Sequence, residues 1–275
     1  MITFCISTYN NLNYLKLAIH SVRTYSFFKD SPFIIYAENC TDGTNEWLEE
    51  NKEIYNLTVV CEKNEIPRGI GGGMNLCASL VQTEYIMFMH SDFFVSKDWD
   101  LKLYEIFKKY PEEKLWVSSY QMQPNVFNEE STPGKAIVDL DLFGEYHNNF
   151  DEEFFIELAG EFSKVNEDIS FPIGQGVAGL IRKTDWDLIG GCDALFAPAS
   201  YDDVDLFLRM TLEGFKLITI SSSVVYHFGA RGSWFPTDKL DVKSTRQINA
   251  EKDNFLKFHA KWGEIPWIHP LNGYI

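Results

Sequence analysis

The sequence predicts an α/β fold with a mostly parallel central sheet flanked by helices, carrying an insertion and a C-terminal extension. Three observations predict it. Short apolar runs alternate with helix-period patterns through the first 92 residues, the order that builds a parallel sheet covered on both faces. The fourth run, residues 85–89, is apolar without alternation and too short for a helix with its own core, as a strand buried on both faces requires. Each run breaks off in a polar loop, and right-handed crossovers collect such loops on one edge of a sheet.

Taken in order, residues 2–7 are apolar and stop at Thr8, Tyr9, Asn10 and Asn11. Leu12, Leu15, Ile19 and Val22 then recur at helical spacing, with Asn10 or Asn11 available as N-cap. The run 33–37 leads into a polar turn over 38–44 and a short helical pattern over 46–50. Residues 58–61 read as a third strand, and after Asn64 comes a glycine-dense turn, 68–73, that opens a helix over 74–81. Beyond the fourth strand, Trp99, Leu103, Ile106 and Phe107 mark a helix, and 115–120 another strand. Periodicity fades over 121–171, which reads as an insertion with some helix. A glycine-rich lead at 174–176 enters a strand ending at Arg182, followed by a short helix over 185–189. A further helix starts near Tyr201 and runs to Glu213 with Gly214 as its stop. Residues 216–220 and 224–226 are strand-like, ending at His227, and the tail is aromatic and polar.

Composition removes several functional classes. The chain has 275 residues, enough for one large α/β domain or two small ones, and 40 acidic against 24 basic side chains give a net charge of -16. That balance argues against an extended nucleic-acid or anionic-membrane surface. Five scattered cysteines with no CxxC spacing fit neither a zinc site nor a disulfide framework, and suit a reducing cytoplasm. Neither a secretion leader nor an apolar run of spanning length is visible, so a cytoplasmic protein, peripheral at a membrane only through partners, is expected.

Three places carry candidate chemistry. Asp92 follows a buried strand at the edge where open α/β sheets bind ligands, and it either caps the turn or holds a hard cation through oxygen. Asp202, Asp203 and Asp205 occupy the first turn of a helix, where carboxylates suit the positive end. Asp205 with Arg209 has the spacing of an intrahelical ion pair, whereas the doubled Asp202-Asp203 exceeds what one cap needs. His227 is either a hydrogen-bonded structural residue or a partner of Asp92 in a mixed oxygen–nitrogen site suited to manganese or magnesium. Gly69, Gly71 and Met74 fall where GxGxxG would need three glycines, after the third strand instead of the first, which disfavours a dinucleotide-binding dehydrogenase. The glycines either let backbone amides approach a ligand or let a helix start pack closely.

In register, these motifs resemble the family 2 inverting glycosyltransferases. They are residues 2–10, 38–44, 64–75 and 85–92, then Gly190-Gly191-Cys192-Asp193, the run from Asp202 to Arg209, and His227. The resemblance covers roughly 1–120 and 174–233 and implies the GT-A type, Rossmann-like fold. It implies that Thr8, Tyr9 and Glu38 surround the nucleobase and ribose, with Asn10, Asn64, Arg68, Gly72, Asn75 and Ser91 also on the nucleotide-sugar side. Asp92 matches the last acid of the family's DxD motif, whose metal bridges the diphosphate. His227 matches a histidine that often completes that site, and His90 stands where the first acid is usual. Asp203 matches the second acid of the Glu-Asp pair, the general base on the acceptor hydroxyl, with Asp202 beside it. Two further departures are Glu38, longer than the usual acid, and Ser7, where proline is often found.

The expected activity is inverting transfer of a hexose-type sugar from a UDP-, GDP- or dTDP-linked donor to a hydroxyl of a glycan or glycoconjugate, in polysaccharide biosynthesis, with Mn2+ or Mg2+ as cofactor. The expected organisation is a transferase domain over 1–233 (donor half 1–120, insertion 121–173, acceptor half 174–233) with a packed extension over 234–275. Acceptor choice is expected in 121–171 and in aromatics of the tail, Trp234, Phe235, Trp262 and Trp267, which either stack on sugar faces or serve as packing residues. The alternatives are a degenerate sugar or nucleotide binder, prompted by His90, and a sugar-phosphate nucleotidyltransferase. The latter lacks support because Ser7 to Asn10 is not a glycine-rich loop ending in a basic residue.

Overall fold

A computed structural model describes residues 1–126, 130–167, 170–171, 178–229, 231 and 244–263. The expected lead at 174–176 and the aromatics Trp234, Phe235 and Trp267 lie outside the described residues.

The first half follows the expected alternation: β1 (Ile2–Thr8), α1 (Leu12–Tyr25), β2 (Phe33–Glu38), α2 (Thr44–Asn51), β3 (Leu57–Glu62), α3 (Gly69–Leu80) and β4 (Tyr85–His90). Their strands are parallel, ordered β3-β2-β1-β4. A short β5 (Phe93–Val95) and α4 (Trp99–Lys109) precede β6 (Leu115–Pro124). The insertion contributes β7 (Lys135–Val138), α5 (Glu152–Val165) and β8 (Ser170–Phe171). Then come β9 (Gly179–Arg182), α6 (Lys183–Ile189), α7 (Asp202–Leu212), β10 (Lys216–His227) and α8 (Thr245–Trp262). One sheet runs β3-β2-β1-β4-β9-β6-β10-β5, with β7 paired to β6 and β8 to β10. It is a mixed α/β sheet, since β9 lies antiparallel between β4 and β6 and β5 antiparallel to β10.

Strand periodicity divides the core. Ile2, Phe4 and Ile6 of β1 face a cluster with Leu15 and Ile19 of α1 and Trp99, Leu103 and Phe107 of α4. Cys5 faces the other side with Met74 and Cys77 of α3, Trp186 of α6 and Leu206 of α7. A third cluster ties the insertion to the sheet through Tyr14, Phe94, Phe143, Phe155, Tyr226 and Phe228.

Four expectations change. Residues 69–73 are not a turn before the helix but its first turns, because packing outweighs the poor helix propensity of glycine. At Gly73 a Cβ would press on Tyr36 and Ser7, so α3 lies directly on β1 and β2. Neither Asn10 nor Asn11 caps α1 with its side chain; Leu12 N donates instead to Asp42 Oδ2 at 2.9 Å. Strand β6 continues four residues past 120 into the expected insertion, and 216–227 is one strand with an irregular register between Ile220 and Val224.

Gly179 carries a close approach of its own. A Cβ there would overlap the fully buried Trp116 indole, which also packs on Phe88 and Phe207. Overpacking of this kind costs about 1–3 kcal/mol. Gly179→Ala is therefore expected to lower the unfolding free energy by that amount, read as a lower urea midpoint, and an unchanged midpoint would show that the indole relocates freely.

Candidate active site

The His90–Asp92–His227 group is assembled by one piece of sheet register. After β4 the chain turns through Ser91 and Asp92 into β5, which pairs antiparallel with the end of β10 and sets Phe93 opposite His227. Phe228 N then donates to Asp92 O at 3.0 Å. Residues 135 positions apart in sequence thus meet at the C-terminal edge of β4 and β10. His227 Nε2 lies 3.4 Å from Asp92 Oδ1, and the His90 and His227 rings are 5.5 Å apart between centroids. One ligand atom from each of the three lies within 4.8 Å of the others.

Electrostatics prepares these groups. Burial works against ionisation of Asp92, but the neighbouring imidazoles and the Arg231 amide, 2.8 Å from Oδ2, outweigh it and hold the carboxyl below its usual range. Burial, with the nearby His227, pushes His90 down to about 4, so its ring is neutral at pH 7 and keeps a lone pair for a ligand. Gln123 Oε1 lies 2.9 Å from His227 Nδ1 and Gln121 Nε2 lies 2.8 Å from it. The tautomer that donates Nδ1–H to Gln123 would offer Nε2 to a metal ion held beside Asp92, an arrangement typical of metal-binding histidines. Two imidazole nitrogens and one carboxylate suit a divalent transition ion.

A second network lies at the ends of β2 and β3. The buried Glu38 accepts from Tyr36 OH, Asn64 Nδ2 and the backbone amides of Arg68 and Gly69, at 2.7–3.0 Å. Asn64 Nδ2 is shared with Glu62, which also takes Arg68 Nε at 2.9 Å. Hydrogen bonds from Asn64 and then Arg68 hold the Glu62 carboxyl below its usual range. Glu38 and Asn64 therefore set the start of α3, while the Arg68 side chain stays about half exposed at 50%. Asn75 spends both ends of its amide on Cys192, at 2.8 Å each. Gly72 packs on the Arg68 side chain.

On the β1 side, Asn10 takes a left-handed φ of 46° and accepts from Thr41 N, while Tyr9 is exposed. The buried Thr8 hydroxyl and the Asn11 side-chain oxygen have no hydrogen-bond partner among the described residues, and Asn11 Nδ2 donates to Ser91 Oγ at 3.0 Å. Such orphaned polar atoms beside a ligand edge are what a bound polar group would satisfy.

The acidic pair starts α7. Asp202 is buried at 8% exposure and Asp203 exposed. Asp202 Oδ2 would sit 3.2 Å from a Cβ at Gly71, which ties the pair to the same end of α3 that Glu38 organises. Burial, and then the charge of Asp203, pushes the Asp202 carboxyl up to about 7. Crowding by protein also raises Asp203, against a hydrogen bond from Val204 N; because water reaches this side chain, burial acts on it less than on its neighbour. The two carboxyls titrate as an interacting pair. Asp205 is fully buried, with Arg209 Nε at 2.8 Å as its spacing predicts, and Lys261 and Trp262 of α8 at 2.6 and 2.9 Å. Of the two roles open to Trp262, stacking on a sugar or packing, the bond to Asp205 supports the structural one.

A stability test follows from Asp202. Its folded pKa lies above the unfolded value of about 3.9, so the stabilising contribution is complete below that value and is lost as pH rises through about 7. Asp202→Asn should lose less stability than wild type between pH 5 and pH 8. Thermal unfolding at both values measures it, and parallel pH dependences would refute it.

Reasoning from sequence missed Gln121, Gln123, Asn11 and Arg231. The two glutamines stand at i and i+2, the spacing that puts both on one face of a strand, and extending the fifth strand past 120 would have found them.

The family model for "Glycosyl transferase family 2" matches residues 3–163. The abequosyltransferase RfbV of Salmonella typhimurium is 24% identical over 219 residues, covering 77% of this chain and 61% of that protein. The chain therefore spans less than two thirds of that relative's length. Among solved structures, GalNAc-T7 with UDP, GalNAc and Mn2+ superposes with a TM-score of 0.64 at 14% identity, covering 95% of this chain and 48% of that one. A fragment of S. aureus TarS in complex with UDP gives 0.56 at 14% identity, covering 95% and 72%. Among the described residues no helix is long and apolar enough to cross a membrane. With its family model spanning more than half the chain and a GT-A glycosyltransferase fold beneath it, this chain belongs to glycosyl transferase family 2.

Proposed function

We propose that the protein transfers a sugar, with inversion, from a nucleotide-diphosphate donor to a hydroxyl of a glycan or glycoconjugate. The observation that carries this reading is the convergence of His90, Asp92 and His227 on the ligand edge of the sheet. An abequosyltransferase relative and structural neighbours holding UDP support it.

In this reading Asp92 and His227, with His90, hold a divalent ion, Mn2+ in preference to Mg2+ because two of the three donors are nitrogen. When bound, such an ion offsets negative charge on a leaving diphosphate. The rest falls to the chain's own groups. Thr8, Asn11, Ser91 and Tyr9 face the donor, and Arg68 offers exposed guanidinium to it. Glu38, Asn64, Asn75 and Gly72 position the start of α3. Asp203, exposed where Asp202 is not, takes the proton from the acceptor hydroxyl as its oxygen attacks opposite the diphosphate. One displacement inverts the anomeric carbon. Residues 1–233 form the transferase domain and 234–275 an extension that packs on it through α8.

Thermal shift with UDP, GDP and dTDP, each with and without Mn2+, tests the reading. One nucleotide is expected to raise the melting temperature only when the ion is present. No response to any of them would overturn the donor assignment. Binding without turnover of any matching nucleotide sugar would favour a degenerate binder.

A further inference from the structure

We propose that Asn254, on the C-terminal helix α8, is a positioning residue that holds the 196–201 loop in the shape that presents Asp202 and Asp203. Asn254 is fully buried, and its Nδ2 donates to the carbonyls of Phe196, Ala199 and Ser200 at 2.6, 2.9 and 3.2 Å. An amide has only two N–H groups, so three acceptors converge on one nitrogen. Lys257 Nζ donates to Asn254 Oδ1 at 2.8 Å, and because an ammonium can only donate, it fixes which end of the amide faces the loop.

The loop needs such a hold. Ser200 and Tyr201 are consecutive non-glycine residues with φ of 75° and 66°, a left-handed region that side chains disfavour and surrounding structure must enforce. Tyr201 immediately precedes Asp202, so relaxing this pair would re-aim the start of α7. On its other flank the loop is pinned by Ile70 N donating to Pro198 O at 3.0 Å, at the end of α3 where Gly69 leaves no room for a Cβ. The Asp202–Asp203 segment is thus held between a helix of the donor half and a helix near the end of the chain. Five other contacts place α8 there: Lys261 on Asp193 and on Asp205, Trp262 on Asp205, and Tyr201 against Phe255 and against Phe258. Those contacts explain why α8 docks. They do not explain a buried amide aimed at three loop carbonyls, where an apolar side chain would fill the space and leave them unpaired.

The inference rests on the reading of Asp203 as base, and the experiment separates the two. Full-length Asn254→Asp, which sets carboxylate oxygens against the three carbonyls, and the milder Lys257→Ala are compared with Leu256→Ala, an exposed control on the same helix. Amide hydrogen exchange across 196–205 and the kcat and KM for sugars linked to the nucleotide that the panel above identifies, followed as release of that nucleotide, are the readouts. Asn254→Asp is expected to speed exchange in that segment about tenfold or more and to lower kcat by a similar factor, with KM within about twofold and β1 to β4 unchanged. Lys257→Ala should move both the same way by less, and Leu256→Ala neither. Unchanged exchange, or faster exchange with an unchanged kcat, overturns the proposal. Should Asn254→Asp fail to fold, Lys257→Ala decides on the same two readouts. Wild-type turnover in Asp203→Asn would defeat the base assignment alone, while the exchange data would still decide whether Asn254 holds the loop.

Discussion

Asp203→Asn is expected to lower turnover about 10²- to 10⁴-fold, the range general-base catalysis contributes, while leaving the nucleotide-dependent thermal shift in place. The side chain is exposed at the start of α7 whereas Asp202 is buried, so an incoming hydroxyl can reach one carboxylate of the pair and not the other. Asparagine keeps an oxygen that can accept from Val204 N, so the helix start survives the exchange. Because burial pushes Asp202 up to about 7 and raises Asp203 as well, the wild-type rate should climb with pH as Asp202 loses its proton and its negative charge makes Asp203 a stronger base. Steady-state rates over pH 5–9 for both proteins measure this. A variant with wild-type turnover and an unaltered profile would mean that the proton leaves by another route.

Asp92→Asn should weaken Mn2+ binding about 10²-fold or more, since removing the one carboxylate among three donors also removes the negative charge that holds the ion. The amide oxygen can still accept from Arg231 N, which protects the turn between β4 and β5. Titration calorimetry with Mn2+ reads the affinity directly, and turnover should fall in parallel. Equal affinity in variant and wild type would remove the metal from this site.

Much of the architecture was legible because its signals are local. The runs that became β1 to β4, the helices after them and the polar loops at their ends follow from apolar period and loop composition alone. The Asp205–Arg209 pair likewise needed only a spacing of four. What escaped depends on partners far along the chain. Strand β5 is three apolar residues after Asp92, too short to signal anything, and it exists because β10 offers an edge more than a hundred residues later. Gln121 and Gln123 look like the start of a polar insertion until His227 stands beside them. Asn75 reads as a nucleotide contact by motif, yet its amide is taken by Cys192, 117 residues away. The glycines of α3 read as a turn by propensity, and only the proximity of β1, Asp202 and Pro198 explains why a helix is built from them.

The pairing of β5 with β10 also fixes when the chain acquires its chemistry. A growing polypeptide released as far as residue 215 has its β1–β4 layer and Asp92 but lacks the strand that delivers His227, and long-range pairings of this kind form late because closing so large a loop is slow. Such a nascent chain would have a sheet while still lacking one of the three donors of the proposed ion site. In the proposed reading, a complete donor set therefore reports that β10 has docked beside β5.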